Sequence, residues 1–508
     1  MSATQFDKLL VTHSGALRRK YGSSGAAEVR EALDALVEAD AGRGLKTRVL
    51  LLDNTLSMRA IKSARVADGD WVAAVRAVDL AFTRYLPSYV ALVGATDVVP
   101  QARVGNPFAG LGADTDSYVP SDLPYACDLP DTWTGPASGM FDPAELLAVT
   151  RVVGRIPDLV GEADPAMLLA ALETATSYSQ RRATSYHRVF ALTAAAWKGS
   201  TTQSVALLPG PTPTVQLSPP AQDGWTKATL SPRVHLVNCH GGDTTPDWFG
   251  QATGGAIDTV ALTPESISGR IRAGTVVAAE CCYGAMHMAP AGLGERIPLL
   301  WAYLSSGGYA AVGSSTTSYG PADGNGQADL ICRYVLEGIA TGASSGRAML
   351  DARQRFIRES GAMAPEDLKT LVQFDLLGDP SLQAVALAGR EPPTVAAPKA
   401  MAPAEAQHGL AQRRAVLAAT GRALAGSVPR AGRPGRRPTL SSEQLAGQAG
   451  LSRGQVVGAV RAFGEHTRGP RAGCSFHVAP VRSGSRTGFV VSRETYGQRD
   501  TRVIWAKS

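Results

Sequence analysis

Over roughly residues 5–385, short apolar runs alternate with longer stretches in which apolar residues return at helical spacing. The runs at 48–52 (RVLLL), 89–93 (YVALV), 189–193 (VFALT), 234–238 (VHLVN), 275–279 (TVVAA) and 309–313 (YAAVG) are apolar on almost every residue. That pattern predicts strands buried on both faces, as in a parallel sheet. Residues 26–41 and 71–85 show the intervening helical periodicity. The alternation therefore predicts an α/β fold with a mainly parallel sheet. A stretch rich in Gly, Pro and Asp at 106–139 predicts a long loop, and a break near Gln180 predicts two subdomains, 1–180 and 181–388.

The pattern changes after residue 388. Residues 389–438 are dominated by Ala, Pro and Arg and predict a linker, with some helix at 404–425. Residues 439–508 regain order as a small C-terminal domain. TLSSEQLAGQAGLSRGQVVGAVRAF at 439–463 fits a helix–turn–helix: Ala446 packs on the second helix, Gly450 makes the turn, Ser452 caps, and Val456 and Val460 face inward. Alternating segments at 475–478 and 488–491 follow, as in a wing.

Charge sharpens this division. From residue 391 onward there are 18 Lys+Arg against 6 Asp+Glu, a net +12, whereas residues 1–390 carry −6. A basic tail on a mildly acidic body implies an acidic or polyanionic partner for the tail. One option is nucleic acid, read by Ser452, Arg453 and Gln455 with Arg433, Arg436 and Arg437 on phosphates. A regulatory protein is the other. No 18-residue apolar run is present and the first residues show no basic–apolar–small leader pattern, so neither a membrane nor a secretory route is expected. The six cysteines lack the spacing of a disulfide framework, which fits a cytoplasmic protein with reduced thiols.

The chemistry concentrates at two strand ends. VHLVNCHGG puts His240 just past an apolar strand, with Gly241 and Gly242 behind it; TVVAAECCYGA puts Glu280, Cys281 and Cys282 past another. In open parallel sheets, ligands bind beyond the carboxyl ends of strands. A thiol attacks as thiolate and needs a base, and imidazole serves near neutral pH. The His240–Cys282 pair therefore reads as a catalytic dyad, with the Gly241 and Cys282 N–H groups placed to stabilise an oxyanion. Cys281 is the alternative nucleophile. Zinc bound by Cys239, His240, Cys281, Cys282 and His287 is the metal alternative, but the spacing lacks the CxxC form of structural zinc sites. No metal and no cofactor is expected.

An ordered series of landmarks resembles the gingipain family of cysteine peptidases. They are LLVTHSGALRRKYG, YVALVGATDVVP, SDLPYACDLPD, RVVGRIPDL, the HGG and ECCYG strand ends, AVGSSTTSYG and FDLLGDPSL. The resemblance implies a caspase–hemoglobinase fold and hydrolysis of polypeptide substrates through an acyl-thioenzyme. His preceding Cys by 42 residues is also the caspase-like order. An acidic or amide residue two positions before the nucleophile, as in caspases and legumains, matches Glu280 and favours Cys282; so does the doubled cysteine of the lysine-specific gingipain. That relative's S1 aspartate falls by counting on Asp323, implying cleavage after Lys or Arg, while its pocket tryptophan falls on Gly320. Two departures stand out: the relative's histidine-orienting acid has Ala196 near its place, and gingipains are secreted. A catalytically silent scaffold and a DNA-binding regulator are the competing functions.

Overall fold

The computed structural model describes residues 5–108, 114–130, 133–361, 363–386 and three C-terminal strands within 475–505. The linker at 389–438 and the helix–turn–helix reading of 439–463 lie outside these residues. The chain divides into two compact units, and each is described by itself.

The larger unit is built on a ten-stranded sheet. Its order is Thr47–Leu51, Lys8–Thr12, Tyr89–Val93, Val153–Ile156, Phe374–Leu377, Ala310–Ser314, Val276–Ala279, Val234–Asn238, Val189–Ala194 and Val215–Ser218. All pairings are parallel except one: Ala310–Ser314 runs antiparallel to Phe374–Leu377. Five strands on one side thus point opposite to the five on the other, and the two half-sheets present their carboxyl ends at opposite edges. The predicted strands all occur, within a residue at each end. The fold is α/β with a large, mostly parallel central sheet.

The break near Gln180 separates the strands of the two half-sheets, with one exception. Phe374–Leu377, from far along the chain, joins the first half beside Val153–Ile156. The stretch read as a long loop contains a strand, Tyr118–Ser121, paired antiparallel with Ala102–Gly105, and a 3₁₀ turn at Leu123–Ala126.

Several landmark residues turn out to be internal ties. Arg155 is fully buried and grips Asp122 with two nitrogens, at 2.8 and 2.6 Å. Its remaining nitrogen donates to the carbonyls of Gly94 and Val99. Asp122 is therefore a structural anchor for the SDLPY turn. Lys8, equally buried, bridges Asp40 at 2.9 Å and Asp379 of the GDP turn. Buried charges of this kind persist only when paired and hydrogen-bonded.

The second half-sheet buries an apolar cluster on one face, including Leu192, Val237, Val277, Leu300, Trp301 and Tyr303. In the smaller unit, Ser475–Ser483, Arg486–Thr495 and Gln498–Trp505 form a three-stranded antiparallel sheet. Among the described residues, no helix is long and apolar enough to cross a membrane.

Candidate active site

The strands Val234–Asn238 and Val276–Ala279 are neighbours in parallel register, Val237 opposite Ala279. The register extends past the last pair, since Glu280 N–H donates to the Val237 carbonyl at 2.8 Å. His240 and Cys282 therefore leave the sheet side by side, each three residues beyond that pair. The approach of the two segments is close: a Cβ built on Gly241 would lie 2.0 Å from the Cys282 carbonyl oxygen. Only glycine fits there, because any side chain would push the two strand ends apart.

Strand alternation separates the two cysteines. Cys281 joins Cys239 in the apolar cluster, fully buried, and burial pushes both thiols up. A buried protonated thiol is a poor nucleophile and a poor metal ligand. Cys282 faces the other way and is half-exposed. Its sulfur lies 3.4 Å from the Ser318 N–H and 3.8 Å from the Ser318 hydroxyl, and 3.7 Å from the Ser318 carbonyl. The loop after Ala310–Ser314 thus wraps around Cys282. Tyr283, directly after it, has φ +57°, a left-handed conformation that non-glycine residues rarely hold, and such strain collects at functional sites.

His240 is held by a hairpin. Its N–H and carbonyl exchange two 2.8 Å hydrogen bonds with Phe249, on the strand Trp248–Gln251. That strand pairs antiparallel with Ile257–Leu262. The imidazole Nε2 lies 2.9 Å from the Gln251 side-chain oxygen. The ring packs on Trp197, centroid to centroid 4.2 Å at 48°. Trp197 belongs to the short turn Ala195–Trp197, so the place near Ala196 presents an indole to the histidine instead of a carboxylate.

Behind the dyad lies a polar layer. Asn238 donates to Thr201 at 3.2 Å and to Ser200 at 3.4 Å. Glu280 and Asp329 are both buried; burial first, and repulsion from Asp329 second, hold Glu280 well above the usual carboxylate range.

Asp323 is exposed. It lies in the loop before the helix Gln327–Ala340, with Oδ1 only 2.6 Å from where a Cβ on Gly199 would stand. Asn325 ties the same loop to Ser200 and Ser204. Gly320 instead backs onto the Asp329 carboxyl. His287 packs edge-on against Trp301 at 5.0 Å. Among the described residues, no group of three or more His, Cys, Asp or Glu is arranged to hold a metal ion.

Sequence reasoning missed Trp197, Gln251 and Ser318. Trp197 directly follows Ala196, and Ser318 lies within the AVGSSTTSYG landmark. Gln251 carries no local signal, because its role depends on the hairpin folding back.

No family model matches the chain, and no curated protein matches it. Among solved structures, it is similar to the Arg-specific cysteine proteinase gingipain R, at 12% identity and a TM-score of 0.48, covering 76% of this chain and 79% of that one. It is also similar to the complex of the pro- and mature domains of Porphyromonas gingivalis RgpB, at 13% identity and a TM-score of 0.47, over 74% and 79% of the two chains. A structure described as a protease matches at 13% identity and a TM-score of 0.43, over 100% and 98%.

Proposed function

We propose that the chain is a cysteine endopeptidase that uses His240 and Cys282. The observation that supports this reading is the glycine-dependent approach of the two strand ends, from which His240 and the half-exposed Cys282 both leave the sheet at its carboxyl edge. In the proposed reaction, His240 takes the Cys282 proton and the sulfur attacks the scissile carbonyl carbon. The resulting oxyanion is stabilised by the Gly241 and Cys282 N–H groups. Collapse breaks the C–N bond, and His240 returns the proton to the leaving amine. Water, deprotonated by His240, then hydrolyses the thioester and frees Cys282.

On this reading Asp323 favours Lys or Arg at P1 from an exposed position, and the enzyme acts inside the cell on polypeptides. The basic C-terminal region takes a regulatory protein or nucleic acid. The test is treatment with a peptidyl acyloxymethyl ketone followed by mass spectrometry, with an unbiased peptide library beside it. The expected result is one label, on Cys282, and cleavage of library peptides. A silent scaffold would take up no label at a single cysteine.

A further inference from the structure

A base is useful only if the correct nitrogen carries the lone pair, and nothing in the His240–Cys282 pair itself decides which one does. We propose that Gln251 is the positioning residue that sets the tautomer and direction of His240, in the role an acid would otherwise have. This rests on the peptidase reading of the site.

The orientation of the Gln251 amide is decided by its second bond. Its nitrogen donates to the Gly255 carbonyl at 2.9 Å. Turning the amide over would set two carbonyl oxygens against each other, so the oxygen faces His240 Nε2, 2.9 Å away. A carbonyl oxygen only accepts. His240 Nε2 therefore carries the hydrogen, and the lone pair of the neutral ring is on Nδ1, the atom that takes the thiol proton.

The support behind Gln251 is rigid. The residue is buried, at 8% exposure, and ends a strand whose return turn is closed by Gly255 N–H to the Ala252 carbonyl at 2.8 Å. Gly254 in that turn has φ +70°, a conformation suited to glycine. Trp197 covers one face of the imidazole and limits rotation of the ring. The bond to Gln251 and the tilted contact with Trp197 both restrain the ring.

An amide differs from a carboxylate in one respect that can be measured. Both accept from Nε2–H, but only a carboxylate adds a negative charge that stabilises the imidazolium. Gln251 aims the ring without adding that charge.

The experiment uses the full chain labelled with ¹⁵N-histidine, with the His240 signals assigned by their loss in His240→Ala. The expected wild-type pattern is a neutral Nε2–H ring whose proton exchanges slowly with water. Gln251→Met should lose that protected proton and lower kcat/KM for peptide cleavage by about tenfold to a hundredfold, part of the ~10²–10⁴-fold that a positioned base supplies. Most of the loss should fall on kcat. Gln251→Glu should keep the proton, raise the His240 titration midpoint and speed Cys282 alkylation below pH 6.

A wild-type ring protonated on Nδ1 overturns the proposal, and so does a protected proton that survives unchanged in Gln251→Met. The wild-type spectrum alone decides the first point, so the proposal stays testable if a variant fails to fold. If the ring signals behave as stated while no peptide is cut, the positioning role stands and the peptidase reading fails. If peptides are cut and the ring proton ignores residue 251, the reverse holds.

Discussion

In the half-sheet around Lys8–Thr12, the two central buried cations are each paired. Lys8 has two carboxylates, and Arg155 has a carboxylate and two carbonyls. In the half-sheet around Val234–Asn238, the polar groups at the carboxyl edge are less settled. Glu280 Oε1 and Asp329 Oδ1 are buried with no hydrogen-bond partner, Cys282 is half-exposed, and Tyr283 holds a strained φ. The same sheet therefore contains a half tied by buried ion pairs and a half whose carboxyl edge carries a half-exposed thiol and a strained turn. Stability and reactivity should respond to different residues, and mutations can separate them.

The largest expected effect is on turnover. Cys282→Ala or His240→Ala should lower peptide cleavage by about a thousandfold or more while the melting temperature stays near that of the parent. Cys281→Ala should retain most activity and lose stability instead, since it leaves a gap in the apolar cluster. An inactive Cys281→Ala with an active Cys282→Ala would exchange their roles.

In the other half-sheet, Lys8→Met should do the opposite. It leaves Asp379 buried without its cation and Asp40 with Arg43 alone, at a cost of about 3–5 kcal/mol measured by urea unfolding. The alkylation rate of Cys282 in the folded protein should not change. A parallel fall in both quantities would show that the halves are not separable.

A smaller effect is expected at Asp323. Because this carboxylate is exposed, water screens its attraction for a cationic P1 side chain. Asp323→Ala should reduce cleavage after Lys or Arg by about fivefold, without slowing modification of Cys282 by iodoacetamide. A wild-type profile preferring apolar residues or Asp at P1 would remove Asp323 from the specificity argument.

A pH dependence is expected in the first half-sheet. Burial, and then the charge of Asp122, raise the Asp375 carboxyl from its ordinary 3.8 to about 8. The folded state thus holds a proton that the unfolded chain has already released. Stability from this group is present below about pH 4, declines as pH rises towards about 8, and is lost above that. Asp375→Asn should flatten this slope in urea midpoints taken between pH 5 and 9. An unchanged slope would assign the dependence to another group.

Much of the backbone setting of His240 and Cys282 was legible because it depends on local rules. Strand alternation alone puts Cys281 and Cys282 on opposite sides, and the carboxyl-end rule puts His240 and Cys282 at one edge once their strands are neighbours. The glycine after His240 signals a close approach, and the structure gives it a distance. Gln251 was not legible, because it reaches His240 only through a hairpin whose strands have no distinctive periodicity. The depth of Asp323 was not legible either: counting along a loop gives a position in the chain and says nothing about exposure. The antiparallel entry of Phe374–Leu377 was hidden for a related reason, since an apolar run does not reveal its partner or its direction.

That late-arriving strand has a consequence for biosynthesis. Lys8 and Asp379 are 371 residues apart in the chain and meet in the folded core. During translation the first half-sheet remains open on one side until residue 377 has left the ribosome, and loops this long close slowly. The strands bearing His240 and Cys282 emerge earlier than the strand that completes their neighbour. A nascent chain cut short before Phe374 would carry both reactive residues on an unfinished sheet with two exposed edges, one of them the natural partner of a segment not yet made. Truncated products should for that reason aggregate or be cleared, while the full-length chain closes the gap itself.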